Sequence, residues 1–417
     1  MHILWLKTEL LHPVDKGGRI RTYQTLRALK ERHRVTYLTL DDGSAAPDAL
    51  ARATEYCHEL ITVPFSQPAR RSVAFFLDLA TNLFSPLPYA VAKYRSAAMR
   101  EAIVQAVQTR GVDLVVCDFL FPSPNVPDNL GVPTVLFQHN VEAAIWERHA
   151  SVAGRAFTRA YMRLQWRRMR AFERTECHRY DHVIAVSDAD ADTMRDWYDA
   201  PRVSAVPTGV DVDFFRPSGN ESPRPSEIVF TGSMDWMPNE DGVQWFVEEV
   251  FPLVRARHPD ATFTIVGRHP TPRVKALEHH QGVTVTGSVP DVRPYLERAA
   301  LFVVPLRVGG GTRLKIYEAM AMERAVVSTT IGAEGLPLRD GDDVVRADDA
   351  EGFALAVGDL LSAPARASLI GKAAAKRVRE EFSWANAGDV FARTCEAVAH
   401  HGIANPTARA PGVRSNA

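Results

Sequence analysis

The feature that most constrains this chain is a rhythm. Short apolar runs alternate with longer stretches of helical periodicity through most of its length. βαβ units produce that rhythm, because a parallel strand needs a crossover segment and is buried on both faces. The pattern predicts strands over 2–6, 34–40, 60–63, 113–117, 134–138 and 182–186 in the first half. It predicts strands over 227–231, 261–266, 283–286, 301–304, 325–328 and 343–345 in the second. Helical patterns fill the gaps at 19–32, 97–109, 241–257, 272–279, 312–322 and 351–361. A chain of 417 residues exceeds what one core usually serves, so two α/β domains are expected.

The break is expected in the stretch Arg216-Pro-Ser-Gly-Asn-Glu-Ser-Pro-Arg-Pro-Ser226, whose three prolines and one glycine no regular element tolerates well. The expected division is a first domain over 1–212, a linker over 213–226, a second domain over 227–383, a last helix over 384–401 and a disordered tail over 402–417. Two doubly wound domains that face each other across a cleft place ligands beyond the carboxyl ends of their strands. The loops there should carry the chemistry.

The densest such loop is Pro305-Leu-Arg-Val-Gly-Gly-Gly-Thr-Arg-Leu-Lys-Ile-Tyr-Glu-Ala-Met-Ala321. A buried strand ends in proline, Gly309, Gly310 and Gly311 follow, and a helix begins that Thr312 can cap. Glycines let backbone amides approach an anion, and a helix N-terminus adds partial positive charge. Arg313 and Lys315 add two full charges at the same end. A diphosphate fits there, with Glu318 one to two turns on, where a carboxylate can accept from ribose hydroxyls. Taken alone, the stretch also fits a glycine-rich loop with a solvated basic helix start.

On these residues the chain resembles the retaining GT-B glycosyltransferases called glycosyl transferases group 1. In that family a strand ending in proline leads through a glycine-containing loop to Glu-Ala-Met-Ala. The resemblance puts the ribose-binding glutamate on Glu318. The family usually has a second glutamate eight positions earlier, against the donor sugar; Gly310 stands there. The variant Arg-Val-Gly-Gly-Gly-Thr-Arg-Leu-Lys resembles a subset among bacterial exopolysaccharide sugar transferases, and it shifts attention to the 309–311 backbone, Arg313 and Lys315. Val206-Pro-Thr-Gly-Val-Asp211, Val186-Ser-Asp-Ala-Asp190 and Phe382-Ser-Trp384 are similar to further family segments, so the resemblance covers nearly the whole chain.

Phe230-Thr-Gly-Ser-Met-Asp-Trp-Met-Pro-Asn239 opens the second domain without the basic pair that most relatives carry after the glycine. Gly232 suits a close backbone approach, and Asn239 either contacts the donor or caps a helix from 240. In the first domain, Gly17 and Gly18 precede a helix, where the family's early glycine pair lies over the reacting phosphate. His139 ends the strand in Val135-Leu-Phe-Gln-His-Asn-Val-Glu142. Many relatives have a histidine at this place, and a neutral imidazole can hydrogen-bond a sugar hydroxyl. Asp118, Asn140 and Glu142 are further polar candidates, and an ordinary strand-end histidine is the plain alternative for His139.

Formal charge is −1 and no nucleic-acid module is recognisable, so no polyanionic partner is expected. Cys57, Cys117, Cys177 and Cys395 have no metal-ligand or redox spacing. Asp188, Asp190 and Asp192, and Asp211 with Asp213, have the Asp-x-Asp spacing of metal-holding transferases, but capping and linker positions explain them. No metal or cofactor is expected beyond a nucleotide-diphosphate sugar as co-substrate. The apolar run within Met1–Lys7 is too short for a signal-peptide core, and no stretch reaches the roughly 20 apolar residues of a membrane span. A cytoplasmic protein is expected. The segment 155–179 reads as a basic amphipathic helix, with Arg155, Arg159, Arg163, Arg167, Arg168, Arg170, Arg174 and Arg179 against Glu173 and Glu176. It is either packed on the first domain or in peripheral contact with the inner face of a membrane. Val73 to Leu77, continuing to Tyr89, is a second region where acceptor or membrane contact is expected.

The expected function is sugar transfer from a nucleotide-diphosphate sugar to a glycan or lipid-linked acceptor. The resemblance implies retention and a place in exopolysaccharide or other cell-surface glycan synthesis. A nucleotide-sugar epimerase on the same fold and a catalytically silent nucleotide-sugar-binding protein are the alternatives. A dinucleotide oxidoreductase is disfavoured because Asp15-Lys-Gly-Gly-Arg19 stands where Gly-x-Gly-x-x-Gly is required.

Overall fold

A computed structural model describes residues 1–69, 72–152, 156–308 and 313–404. Two compact units emerge, one of residues 1–207 with 387 onward and one of residues 208–386. The proline-rich stretch over 213–226 is counted with the second unit.

The first unit is built on β1 (His2–Lys7), β2 (Arg34–Asp41), β3 (Glu59–Pro64), β4 (Leu114–Asp118), β5 (Thr134–Phe137), β6 (His182–Ala185) and β7 (Val203–Ala205). The strands are all parallel, in the order β3-β2-β1-β4-β5-β6-β7. The order reverses between β1 and β4, the switch point at which doubly wound sheets open a crevice. β1 shows why its run is continuously apolar. Leu4 and Leu6 join the core on one face, while Ile3 and Trp5 join the core on the other. The helix Trp384–Ala404 contributes Phe391, Ala392 and Cys395 to that second core, with Phe391 5.5 Å from Trp5 and 4.9 Å from Phe137 between ring centres.

The second unit holds β8 (Glu227–Thr231), β9 (Thr262–Val266), β10 (Val283–Gly287), β11 (Leu301–Val304), β12 (Ala325–Ser328) and β13 (Val345–Arg346). These are also parallel, ordered β10-β9-β8-β11-β12-β13, with the switch point between β8 and β11. The α/β class read from the alternation therefore holds in both halves, as two doubly wound Rossmann-like sheets.

Three details depart from the sequence reading. β7 is an extra strand; at three residues it is too short to leave a pattern. The helix expected over 241–257 starts earlier, as Met237–Trp245, widens into a π-turn at Phe246–Val250 and resumes as Phe251–Arg257. Pro252 has no amide hydrogen to give to the preceding turn, which explains the local change of bonding. The last helix runs to Ala404, and residues 405–417 of the expected tail lie outside the described ones.

Candidate active site

In the first unit the strand ends around the switch point converge on Asp118, the last residue of β4. It is fully buried and its Oδ2 accepts from Trp5 Nε1 (3.1 Å), Lys7 Nζ (2.8 Å) and Thr22 Oγ1 (2.6 Å). His139, two residues beyond β5 and 1% exposed, brings Nε2 to 2.8 Å from Asp118 Oδ1. Burial opposes ionisation of Asp118, but the Lys7 ammonium and the His139 contact outweigh it and hold the carboxyl well below the usual range. Burial pushes His139 down to about 3 despite Asp118, so the imidazole is neutral. A carboxylate at Nε2 selects the tautomer with hydrogen on that nitrogen. Nδ1 is then a lone-pair acceptor; among the described residues neither it, nor Nε2, nor Asp118 Oδ1 has a partner of full hydrogen-bond geometry, so the Nε2 contact with Asp118 is one of charge and proximity.

That free nitrogen lies 3.8 Å from where a side chain on Gly18 would begin. Gly17 and Gly18 open the helix Gly17–Lys30, whose first internal bond is Ile20 N to Lys16 O (2.9 Å). The amides ahead of it face no capping side chain. Phe119 completes the arrangement. Its backbone is left-handed (φ 72°), which costs a bulky residue of order 1 kcal/mol or more. Its ring is thereby held 4.0 Å from His139 and 4.9 Å below Lys7 Nζ. Sequence reasoning singled out Gly17, Gly18, His139 and Asp118. It missed Lys7, Thr22 and Phe119, because a strand-end lysine and a phenylalanine carry no motif.

Glu142 stands apart from this cluster. Glu142 is buried at the start of the helix Glu142–Val152, whose Glu142 and Ala143 amides donate to Glu173 at 2.9 and 3.0 Å. Burial, and then the neighbouring carboxyl, push Glu142 up to about 7. Glu173 also accepts from Gln138 Nε2 (3.1 Å) and Tyr198 Oη (2.7 Å), so it anchors the segment carrying His139 to the long helix Ala156–Arg179. Farther along the same sheet edge, a cavity of about 230 Å³ is lined by Glu9, Arg19, Asp41, Asp42, Phe65 and Tyr94. Aromatic rings connect it to His139. Phe65 stacks on Tyr94 (6.2 Å), Tyr94 meets Phe121 (5.6 Å), and Phe121 stacks on Phe119 (5.6 Å).

In the second unit, Gly232 follows β8 and Lys315 stands on the helix Leu314–Ala321. Lys315 Nζ donates to Asn239 Oδ1 (2.9 Å) and sits 4.1 Å over the Phe230 ring. A methyl group on Gly232 would lie 2.8 Å from that ammonium and 2.6 Å from Asn239 Nδ2, so a side chain there would displace the Lys315–Asn239 pair. Gly267, after β9, is the more tightly constrained, since its added carbon would fall 1.6 Å from the Gly232 carbonyl oxygen, which is backbone. Asn239 does not cap the helix. The helix begins at Met237, and Asn239 turns back within it to donate to Ser233 O (2.9 Å). Burial, and then nearby Arg313, bring Lys315 down to about 7. Burial brings Glu318 up to about 7 against the pull of Lys315. Arg313 is buried and lies 5.0 Å from the Trp236 ring. A half-titrated ammonium beside a glycine backbone at strand ends is a place where an arriving anion restores full charge. Gly309, Gly310, Gly311 and Thr312, the loop expected to cradle phosphate, lie outside the described residues.

The Asp-x-Asp spacings take ordinary roles. Ser187 caps the helix Asp188–Tyr198 by accepting from Asp190 N (3.1 Å), with Asp188 and Asp190 in its first turn. Asp211 Oδ1 accepts from Phe214 N (2.9 Å). No cluster of three His, Cys, Asp or Glu suited to a metal occurs among the described residues.

Comparison with known proteins agrees with this architecture. Residues 16–214 match the glycosyltransferase family 4 domain, and residues 225–363 match glycosyl transferases group 1. The lipopolysaccharide core biosynthesis mannosyltransferase LpcC of Rhizobium leguminosarum bv. viciae is 27% identical over 234 residues, covering 52% of this chain and 64% of that one. The chain spans 35% and 57% of the length of two further curated relatives. Among solved structures, sucrose-phosphate synthase of Thermosynechococcus elongatus superposes with a TM-score of 0.66 at 18% identity, over 96% of this chain and 100% of that one. HepE of Anabaena in complex with UDP-glucose superposes with a TM-score of 0.61 at 13% identity, over 95% of this chain and 100% of that one. Two glycosyltransferase domain models match in succession, on a pair of parallel α/β sheets shared with such structures along almost the entire chain, and this is the GT-B fold.

Proposed function

We propose that the protein transfers a sugar from a nucleotide-diphosphate sugar to a glycan or lipid-linked acceptor, with retention at the anomeric carbon and without a metal. The observation that carries this reading is the Gly232–Asn239–Lys315 constellation, where a partly buried ammonium borders backbone at the strand ends. Lys315 and Arg313 hold the donor diphosphate. Glu318 accepts from the ribose hydroxyls. These groups stabilise charge on the leaving diphosphate, where other transferases use a metal ion. The complex of HepE with UDP-glucose supports a nucleotide sugar as donor.

In the first unit, His139 acts as a neutral acceptor through Nδ1, its tautomer held by Asp118. It takes a hydrogen bond from a donor-sugar hydroxyl. The Gly17–Gly18 amides bind the reacting phosphate. The acceptor hydroxyl attacks on the face that the phosphate leaves, and the departing phosphate oxygen takes its proton. Positioning thus replaces a protein nucleophile. The cavity lined by Glu9, Asp41, Asp42 and Tyr94 suits the acceptor, since carboxylates and aromatic faces complement sugar hydroxyls and ring hydrogens. The lipopolysaccharide-core relative supports a place in cell-surface glycan synthesis. The same reading makes the protein cytoplasmic, with the basic helix over 155–179 against the inner face of a membrane.

A thermal-shift survey of nucleoside diphosphates and nucleotide sugars tests the donor assignment, because a ligand that binds only the folded protein raises its Tm. The anomeric coupling constant of the product, read by proton NMR, tests retention. No stabilisation by any nucleotide, or an inverted product, contradicts the reading.

A further inference from the structure

The cavity of the first unit is built from the same strand ends as the cluster around His139. Glu9 follows β1, Asp41 ends β2, Phe65 follows β3 and Phe121 follows β4, and all four line it. It therefore opens beyond the carboxyl ends of the strands, on the β3 side of the switch point, while Asp118 and His139 lie beyond β4 and β5. Two links join cavity and cluster. Lys7 donates to Asp118, and the next residue, Thr8, lines the cavity. Phe119 touches His139 at 4.0 Å and is nearly parallel to Phe121, at 8° and 5.6 Å between ring centres. A single aromatic ring thus separates His139 from the cavity wall.

Size and lining decide what fits. At about 230 Å³ the cavity is smaller than the roughly 300–1,000 Å³ of a site for a drug-sized ligand, so it admits one ring and not a chain. Part of the wall is aromatic, with Tyr94 tilted 36° to Phe121 and Phe65 stacked on Tyr94 at 23°. Asp41 and Asp42 supply carboxylates. Their Oδ1 atoms accept from the amides of Gly43 and Ser44 (3.0 Å each), which closes the loop after β2. Each Oδ2 has no such bond among the described residues and is left for an outside donor. An acyl chain in this cavity would strip water from the carboxylates without replacing it, which is costly. A phosphate would meet like charge, and Arg19, which would offset that, is held by Glu9 at 2.6 and 3.0 Å. A pyranose matches both kinds of wall. Its hydroxyls donate to carboxylates, and its axial C–H groups meet the negative faces of the rings.

We propose that this cavity binds the penultimate sugar of the acceptor, so that the protein extends a saccharide of two or more residues and discriminates against a monosaccharide. The reacting sugar then lies along Phe119, between the cavity and His139. The inference rests on the sugar-transfer reading above and names the acceptor class that reading leaves open. Tyr94, Asp41 and Asp42 become the residues that set acceptor length, at one ring's remove from the reacting atoms.

The test is calorimetry and saturation-transfer NMR of the full chain with the methyl glycosides of glucose, mannose and galactose, and with the α- and β-linked homodisaccharides of each. At least one disaccharide should bind about tenfold or more tightly than its monosaccharide, the gain expected from two further ordinary hydrogen bonds. Tyr94→Ala and Asp42→Ala should each remove that gain and leave the affinities for monosaccharide and nucleoside diphosphate unchanged. Tyr94 packs on the core, so Tm is read for both variants. Asp42 is exposed, and its variant carries the test should Tyr94→Ala unfold. Disaccharides that bind no more tightly than monosaccharides, a gain that survives in the folded variants, or no affinity for any of these sugars refutes the proposal. Nucleotide affinity measured in the same titrations separates it from the reading it rests on. If nucleotide binds and the disaccharide gain is absent, the penultimate-sugar site alone fails; if no nucleotide binds, the sugar-transfer reading fails.

Discussion

Replacing Lys315 by methionine removes the ammonium and keeps most of the stem that packs over Phe230. A hydrogen bond to a charged group contributes about 1.5–3 kcal/mol, so nucleoside-diphosphate affinity should fall by roughly tenfold to 150-fold. The pH dependence is more diagnostic than the magnitude. Free Lys315 titrates at about 7, because burial and then Arg313 disfavour its charge. A bound diphosphate favours the charged form, so the complex has the higher value. The contribution is then fully present below pH about 7 and is lost as pH rises toward the value in the complex, at up to about tenfold per pH unit. Glu318 has the opposite sign. Burial lifts it to about 7, and ribose hydroxyls favour its carboxylate, so its contribution is lost as pH falls below that value. Affinity for the correct nucleoside diphosphate should therefore peak near neutrality. Lys315→Met should remove the alkaline fall, and Glu318→Gln should remove the acid fall. Isothermal titration across pH 6–9 (about one unit either side of the two values), in buffers of different ionisation enthalpy, reads affinity and proton uptake together. An affinity independent of pH in the parent, or alkaline weakening that survives in Lys315→Met, refutes the assignment.

Other outcomes follow from the same geometry. Gly232→Ala should weaken nucleotide binding by about tenfold or more, because its methyl meets Lys315 and Asn239 below 3 Å; calorimetry checks this. His139→Gln should lower turnover about 10²-fold with nucleotide affinity unchanged. Glutamine is preferable to alanine because His139 is buried against Asp118 and Phe119, and full activity in the variant would make it an ordinary structural histidine. Asp118→Asn should cost about 3–5 kcal/mol in urea unfolding, since it strips the buried Lys7 of its counter-charge. Turnover should survive EDTA; loss restored by manganese or magnesium would return the Asp188 and Asp211 clusters to consideration.

Most of the fold was legible because parallel strands are buried on both faces and so read as unbroken apolar runs; β1 and β11 are cases in point. β7 escaped because three residues make no pattern. Gly232, Lys315 and His139 were legible from motif and strand-end position. Asn239 was ambiguous, because an asparagine near a helix start reads equally as a cap, and the choice depends on Lys315, 76 residues away. Lys7, Thr22 and Trp5 were invisible for a related reason. Their role is to neutralise and orient Asp118, and that role exists only once β1 and β4 pair. Phe119 gave no signal, because a left-handed backbone at phenylalanine is imposed by its surroundings and not by its own preference.

The central claim is tested most directly by incubating the protein with nucleotide sugars labelled in the sugar, together with candidate cell-surface glycan acceptors, and following the label. The account predicts that nucleoside diphosphate is released and the label appears in a new glycoside, both dependent on acceptor. Label recovered in an isomerised nucleotide sugar, or donor bound with no turnover under any acceptor, would contradict it.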